Sequence, residues 1–106
     1  MILNDPKDIL KTINSIAVVG VSPKEERDSY KVMKFLIERG YTVFPVNPNE
    51  EGEYILGRKC FKSLFDINDD VDMVDVFRKK EFVYDITREA IKINAKVLWT
   101  QLDIFC

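Results

Sequence analysis

The sequence contains no histidine and only two cysteines among its 106 residues. Without histidine, acid–base catalysis by an imidazole and histidine-ligated metal sites are excluded, and so are hydrolase mechanisms built on a Ser-His or Cys-His pair. Cys60 and Cys106 do not have the spacing of a metal-binding pair. We expect Cys60 to be a small buried side chain in or beside a short strand.

The sequence also lacks a basic excess, a long apolar run and a secretion signal. Lys and Arg total 16 against 18 Asp and Glu, a net charge of −2, so the charge balance points to no polyanionic partner such as a nucleic acid. No apolar run approaches the length of a membrane span, and residues 1–7 lack the charged-then-apolar layout of a signal peptide. We therefore expect one cytoplasmic domain over residues 1–106, with no nucleic-acid or membrane partner.

The apolar run at residues 16–19 is the feature around which the chain is organised. It leads into Gly20 without a polar interruption, which is typical of a strand buried on both faces of a parallel sheet. A polar loop follows, and a helical pattern starts near Asp28. Strand, glycine turn, loop and helix together form the opening of a nucleotide-binding βαβ unit.

The later segments alternate between strand and helix patterns. Strands are predicted at residues 15–20, 41–46, 58–61, 71–77 and 96–99, and helices at 6–13, 28–39 and 79–94, with a helical turn at 63–67 and a charged connection at 50–57. On the last helix, the shared apolar face consists of Phe82, Val83, Ile86, Ala90 and Ile93. The alternation predicts an α/β fold with a doubly wound, mostly parallel, Rossmann-like sheet in three αβα layers.

A ligand of such a sheet binds beyond the carboxyl ends of the strands, where the strand order reverses. If the first and fourth predicted strands are neighbours, residues 20–27, 47–48 and 77–78 converge there. Gly20 permits a tight turn, and the amides of the loop and of the next helix can face a phosphate. Ser22 adds a hydroxyl donor, and basic residues of these segments supply countercharge.

The second of these segments argues against a dinucleotide. Asn47-Pro48 offers an amide and a flat wall for a ribose or adenine, and the Phe77 ring can pack on the base from the other side. An NAD site would show a G-x-G-x-x-G turn and an acid after the second strand. Only Gly20 of that glycine set is present, and Asn47-Pro48 replaces the acid.

Five short motifs, at residues 16–23, 27–30, 43–48, 55–57 and 71–78, resemble the small stand-alone CoA-binding domain proteins, which are similar to the CoA-binding Rossmann domain of the succinyl-CoA synthetase α subunit. The resemblance runs from about residue 10 to 102. It implies coenzyme A or an acyl-CoA as cofactor, with phosphates at the turn, adenosine between residues 47–48 and 77–78, and the pantetheine arm nearer residues 99–101. The candidate cofactor-binding residues are Gly20, Val21, Ser22, Pro23, Lys24, Arg27, Ser29, Asn47, Pro48, Phe77 and Arg78.

The family usually continues through another helix and strand, whereas this sequence ends at Cys106. We therefore expect residues 96–99 to form an exposed edge strand through which two copies could pair. Non-catalytic CoA binding is the first hypothesis. A nucleotide-binding domain of the NAD(P)-dependent oxidoreductase or ligase-fragment type, and an interaction module that pairs through its last strand, are the alternatives.

Simpler interpretations stand beside these. Lys24 fits a solvated charged loop better than a ligand contact. Trp99 is expected in the core rather than at a binding surface, although its place at the end of a strand leaves both open. The acids at residues 66–75 are expected at turns and on one exposed strand face rather than at a metal or phospho-acceptor site. Which basic residue meets the 3′-phosphate of CoA stays open.

Overall fold

A four-stranded parallel sheet and two helices dominate residues 12–101, which are the residues that the computed structural model describes. The strands are β1 (Ser15–Val19), β2 (Thr42–Val46), β3 (Tyr54–Ile55), β4 (Arg58–Lys59), β5 (Met73–Val76) and β6 (Val97–Thr100), and the helices are α1 (Asp28–Glu38) and α2 (Lys80–Lys92). Short 3-10 helices cover Pro48–Glu50 and Leu64–Asp66. Most of the predicted helix at 6–13 lies outside the described residues, as does Cys106.

The strand order in the main sheet is β2-β1-β5-β6, and every neighbouring pair is parallel. The chain leaves β1 for β2 on one side and later returns to β5 on the other, so the strand order reverses between β1 and β5. All five residues of β1 are buried, which explains its unbroken apolar run. The predicted Rossmann-like α/β fold is confirmed.

Two apolar clusters separate the layers. On one face of the sheet, Ile16 and Val18 belong to the cluster that contains Met33 and Leu36 of α1. On the other face, the cluster includes Ala17, Val19, Ile86 and Ala90, the last two from α2. Alternate residues of β1 thus point to opposite layers, and the sheet lies between the two helices.

The strand predicted at 58–61 is shorter than expected and lies outside the main sheet. β4 pairs antiparallel with β3 in a separate two-stranded hairpin, and β3 occupies part of the predicted connection at 50–57. Phe61 instead bridges β2: its N–H donates to the Pro45 carbonyl at 2.9 Å, and its carbonyl accepts the Asn47 N–H at 2.9 Å. Because Pro45 faces Phe61 rather than β1, its missing N–H costs the β1–β2 ladder no bond.

Two aromatic residues are more exposed than the sequence predicts. Phe82, assigned to the buried face of α2, is 40% exposed, and Trp99, expected in the core, is 37% exposed. Trp99 lies on β6, which is the edge of the sheet within residues 12–101 and has only half-buried neighbours. The predicted edge position is therefore confirmed for the described part of the chain, and pairing of two copies along β6 stays a prediction.

Asp72 joins the amino ends of three strands. Its carboxylate accepts the Asn14 N–H at 2.8 Å and the Ser15 N–H at 3.2 Å, and it lies 3.5 Å from the Lys96 ammonium. The Asn14 hydrogen bond is the main reason that the pKa of Asp72 is lowered, although burial opposes the shift. Asp72 thus holds the start of β1 against β5 and β6.

Asp75 contradicts the prediction of an exposed strand face. It is 3% exposed, because β5 is an inner strand with both faces covered. The Gln101 side-chain amide donates to its Oδ1 at 3.2 Å. Burial raises the pKa of Asp75 to about 6 despite that hydrogen bond.

The Asp75→Asn substitution is expected to stabilise the protein at pH 8 and to have little effect at pH 3.5. The folded-state pKa is about 6 against an ordinary 3.8, so ionisation weakens folding progressively between these values and fully above them. The full effect is on the order of 3 kcal/mol. Urea unfolding at both pH values measures it, with Asp69→Asn at an exposed position as the control. An equal effect of Asp75→Asn at both pH values would contradict the assignment.

Candidate functional site

Gly20 is the point at which the ends of three strands meet. It has φ +86°, its N–H donates to the Val46 carbonyl at 2.8 Å, and a Cβ there would lie 2.5 Å from the Phe77 carbonyl oxygen. The Phe77 N–H donates to the Val19 carbonyl at 2.8 Å. Only glycine fits this conformation and this contact, which bring the carboxyl ends of β1, β2 and β5 together.

Two backbone N–H groups of the loop after Gly20 donate hydrogen bonds to nearby serine side chains. The Ser22 N–H donates to Ser29 Oγ at 2.9 Å, and the Lys24 N–H donates to Ser22 Oγ at 3.1 Å. The expectation that the loop amides face a phosphate is therefore wrong for these two. These hydrogen bonds fix the path of the loop instead.

The amides at the start of α1 are differently placed. No side chain caps the helix at Arg27, and the first bond along the helix runs from the Lys31 N–H to the Arg27 carbonyl at 3.2 Å. The N–H groups of residues 28–30 precede that bond, so they have no partner within the helix. They form the positive end of the helix dipole.

Asn47 fastens the end of β2 to this loop. Its Nδ2 donates to the Val21 carbonyl at 2.9 Å, and its Oδ1 accepts the Asn49 N–H at 2.9 Å. Both ends of the amide are engaged, which makes Asn47 a positioning residue. Val21 is 0% exposed, so the prediction that it contacts the cofactor is wrong for its side chain. Cys60 is buried as predicted, and burial raises its pKa to about 11.

A cleft of about 590 Å³, the first cavity, lies on the α1 side of the strand ends. It brings together eight of the eleven predicted residues, namely Gly20, Ser22, Pro23, Lys24, Arg27, Ser29, Asn47 and Phe77. Four residues that were not predicted complete the lining, namely Glu26, Asp28, Asn49 and Glu50. The wall therefore carries both basic and acidic side chains.

A second cavity of about 280 Å³ lies on the α2 side and contains Pro48 and Arg78, whereas Val21, the third remaining predicted residue, lines neither cavity. Its apolar lining is formed by Val19, Val46, Leu64 and Ile86, and its polar lining by Lys62, Ser63, Asp85 and Glu89. The Arg78 guanidinium lies 4.1 Å from the centre of the Phe82 ring. Burial raises the pKa of Glu89, although a hydrogen bond from the Leu64 N–H opposes the shift.

The two cavities are separated by the strand ends, which we call the ridge and define as residues 19–20, 47–48 and 77–78. The second cavity is lined by Val19, Pro48 and Arg78. The first cavity is lined by their chain neighbours Gly20, Asn47 and Phe77. The three places belong to β1, β2 and β5, at the point where the strand order reverses. A molecule that occupies both cavities must therefore cross the ridge.

Several residues of the second cavity were not identified from the sequence. Phe82 was assigned to the core because it shares the helical period of buried neighbours. Lys62 follows the predicted strand at 58–61, and no ligand role was predicted for it. Within residues 12–101, no three Asp, Glu or Cys side chains lie close enough together to hold a metal ion. Neither helix of that part of the chain is long and apolar enough to cross a membrane.

The family model described as a CoA binding domain matches residues 14–106. The chain belongs to this CoA binding domain family. The match includes the ridge and both cavities.

Individual relatives have the same domain. The uncharacterized protein YneT of Bacillus subtilis is 38% identical over 95 residues, which are 90% of this chain and 69% of YneT. A solved structure of a Pyrococcus horikoshii protein superposes with a TM-score of 0.82 at 44% identity, over 93% of this chain and 75% of that one. The α subunit of acetate–CoA ligase (ADP-forming) I from Pyrococcus furiosus is 38% identical over 79% of this chain but only 19% of the subunit.

The Gly20→Ala substitution is expected to destabilise the domain by more than Gly40→Ala. Both glycines have positive φ, which costs alanine about 1–2 kcal/mol. A Cβ at Gly20 also overlaps the Phe77 carbonyl oxygen, whereas a Cβ at Gly40 meets nothing within 4 Å. Urea unfolding of the two variants gives the comparison. Equal losses would show that the close approach at the ridge contributes nothing.

Proposed function

We propose that this CoA binding domain holds coenzyme A or an acyl-CoA across the ridge, as a binding module without catalytic activity of its own. One observation carries the proposal: at each of three strand ends, two adjacent residues line different cavities. An extended ligand with a charged middle and a flat aromatic end matches two cavities of different character joined at the switch point of the sheet.

The first cavity suits the diphosphate. Its wall includes the start of α1, where the amides of residues 28–30 precede the first helical bond, and the side chains of Lys24 and Arg27. Phosphate is stabilised there by N–H donors and by the positive end of the helix dipole. The acids Glu26, Asp28 and Glu50 share the same wall, and their charge disfavours an anion near them.

The second cavity suits the adenosine. Pro48 gives a rigid wall, the lining is largely apolar, and the Arg78 guanidinium is held over the Phe82 ring. Planar guanidinium groups stack on aromatic systems, so Arg78 can also cover a base. The sequence-based expectation set residues 47–48 and 77–78 around the adenosine. The proposal keeps Pro48 and Arg78 there, whereas Asn47 and Phe77 line the first cavity.

The NAD-type alternative is less well supported. An acid after the second strand would grip the ribose diol, and here Asn47 stands at that place with its amide bonded to Val21 and Asn49. The ligase alternative draws on a subunit of which this chain matches less than a fifth. The absence of catalysis and a cytoplasmic location are parts of the proposal.

Thermal unfolding with and without ligands tests the function. A ligand bound only by the folded protein raises the melting temperature, with a stabilisation of about 2.7 kcal/mol at a hundredfold excess over its Kd. We expect a rise with CoA and none with NAD or NADP, and a smaller rise with ATP than with CoA. A cooperatively folded protein that shows no shift with CoA, or a larger one with NAD, would contradict the proposal.

The Arg78→Ala variant is expected to bind CoA about tenfold more weakly, because it loses both a cation and a stacking surface in the second cavity. Arg39→Ala is the matched control, since the Arg39 guanidinium also covers a phenylalanine ring, that of Phe35 at 5.0 Å, at the far end of α1. Titration calorimetry measures both affinities. Unchanged CoA affinity in folded Arg78→Ala would remove Arg78 from the site.

A further inference from the structure

The segment after β4 places Lys62 beside the ridge. The preceding residue, Phe61, makes two backbone hydrogen bonds to the end of β2. Its N–H donates to the Pro45 carbonyl and its carbonyl accepts the Asn47 N–H, each at 2.9 Å. The backbone at Lys62 is thereby held next to the 47–48 part of the ridge. Lys62 lines the second cavity together with Pro48 and Arg78.

Lys62 has no charged partner within residues 12–101. Among residues 12–101, the one ion pair within 4.0 Å joins Lys96 to Asp72, and the Lys62 ammonium makes no hydrogen bond to that part of the chain. Arg78 likewise makes no ion pair within residues 12–101, and its guanidinium faces the Phe82 ring. The second cavity thus has two cations that lack an anionic partner at this distance within the described part of the chain.

The distribution of charge in the second cavity restricts where an anion can bind. The cations belong to the segments that follow Phe61 and β5, whereas the acids Asp85 and Glu89 belong to α2. A phosphate monoester carries a charge of about −1.5 to −2 near neutral pH. It is attracted by Lys62 and Arg78 and repelled by the α2 acids, so it binds on the ridge side of the cavity.

Coenzyme A has a phosphate that fits this position. Its ribose joins the diphosphate to the base and bears a 3′-phosphate, which ADP, NAD and 3′-dephospho-CoA lack. When the diphosphate occupies the first cavity and the base the second, the ribose lies at the ridge. A 3′-phosphate directed from the ridge into the second cavity meets the two cations of its lining, Lys62 and Arg78.

We propose that Lys62 binds the 3′-phosphate of coenzyme A, with Arg78 as the second cation, and that Lys62 thereby makes the site specific for CoA over nucleotides without this group. The proposal rests on the proposed function, because it takes the diphosphate and the base to lie on either side of the ridge. Lys62 was not among the residues predicted from the sequence. Its charge recognises the one group that separates CoA from its dephosphorylated form.

The test compares CoA with 3′-dephospho-CoA by titration calorimetry on the full chain. The unsubstituted protein is expected to bind CoA at least about tenfold more tightly, as a charge-assisted hydrogen bond gives. In Lys62→Ala most of this difference disappears, because CoA binds more weakly while 3′-dephospho-CoA binds as before. Lys62→Arg retains the preference. Lys59→Ala is the control, since Lys59 is an exposed lysine of β4 that does not line the second cavity.

The possible results separate the two proposals. Equal binding of both ligands by the unsubstituted protein, or an equal loss for both in Lys62→Ala, overturns the role of Lys62 and leaves CoA binding supported. Failure of the folded, unsubstituted protein to bind either ligand contradicts the proposed function itself. If Lys62→Ala does not unfold cooperatively in urea, Lys62→Gln, which keeps most of the apolar stem, provides the same comparison.

Discussion

The close approach between Gly20 and the end of β5 is the constraint on which the rest of the site depends. A Cβ on residue 20 would lie 2.5 Å from the Phe77 carbonyl oxygen, so the two backbones can approach this closely only because glycine has no Cβ. This contact and the hydrogen bond from the Gly20 N–H to the Val46 carbonyl bring the carboxyl ends of β1, β2 and β5 together. The ridge follows from it, and so does the division of the surface into two cavities. Chemistry on either side of the ridge is therefore set by residues that follow the strands, while the fold beneath is set by β1 and its two apolar faces.

The sequence predicts the fold well because its strongest signals are local. The apolar run of β1 and the helical periods of α1 and α2 can be recognised without knowing any partner. Errors arise where burial depends on neighbours that are distant in sequence. Asp75 stands between two valines, as a polar residue does on a half-exposed strand, yet β5 is an inner strand between β1 and β6. Phe82 has the helical period of a core residue, but Arg78 rather than the sheet covers its ring.

The site is predicted in part for the same reason. Residues that directly follow β1, β2 and β5 could be identified, because parallel strands end at one edge of a sheet, and eight of them line the first cavity. Sequence alone could not determine which amides and side chains are already engaged. Ser22 and Asn47 look like free polar groups in a list of residues, whereas their hydrogen bonds hold the loop to α1 and to β2. Nor could it place Lys62, whose position depends on the bridge between Phe61 and Val46.

That bridge also closes the excursion of the chain through the hairpin. The chain leaves the sheet at Asn47, runs through β3 and β4, and is fastened again at Phe61, so the two ends of the excursion are joined by the same hydrogen bonds. Residues at its tip, such as Leu56 and Gly57, both with positive φ, contribute no contact to either cavity. The hairpin is nevertheless tied to the domain from inside. Ile55 and Cys60 are buried in the apolar cluster on the α1 face of the sheet, and Leu56 packs against that cluster, so changes in this hairpin disturb the core beneath the ridge.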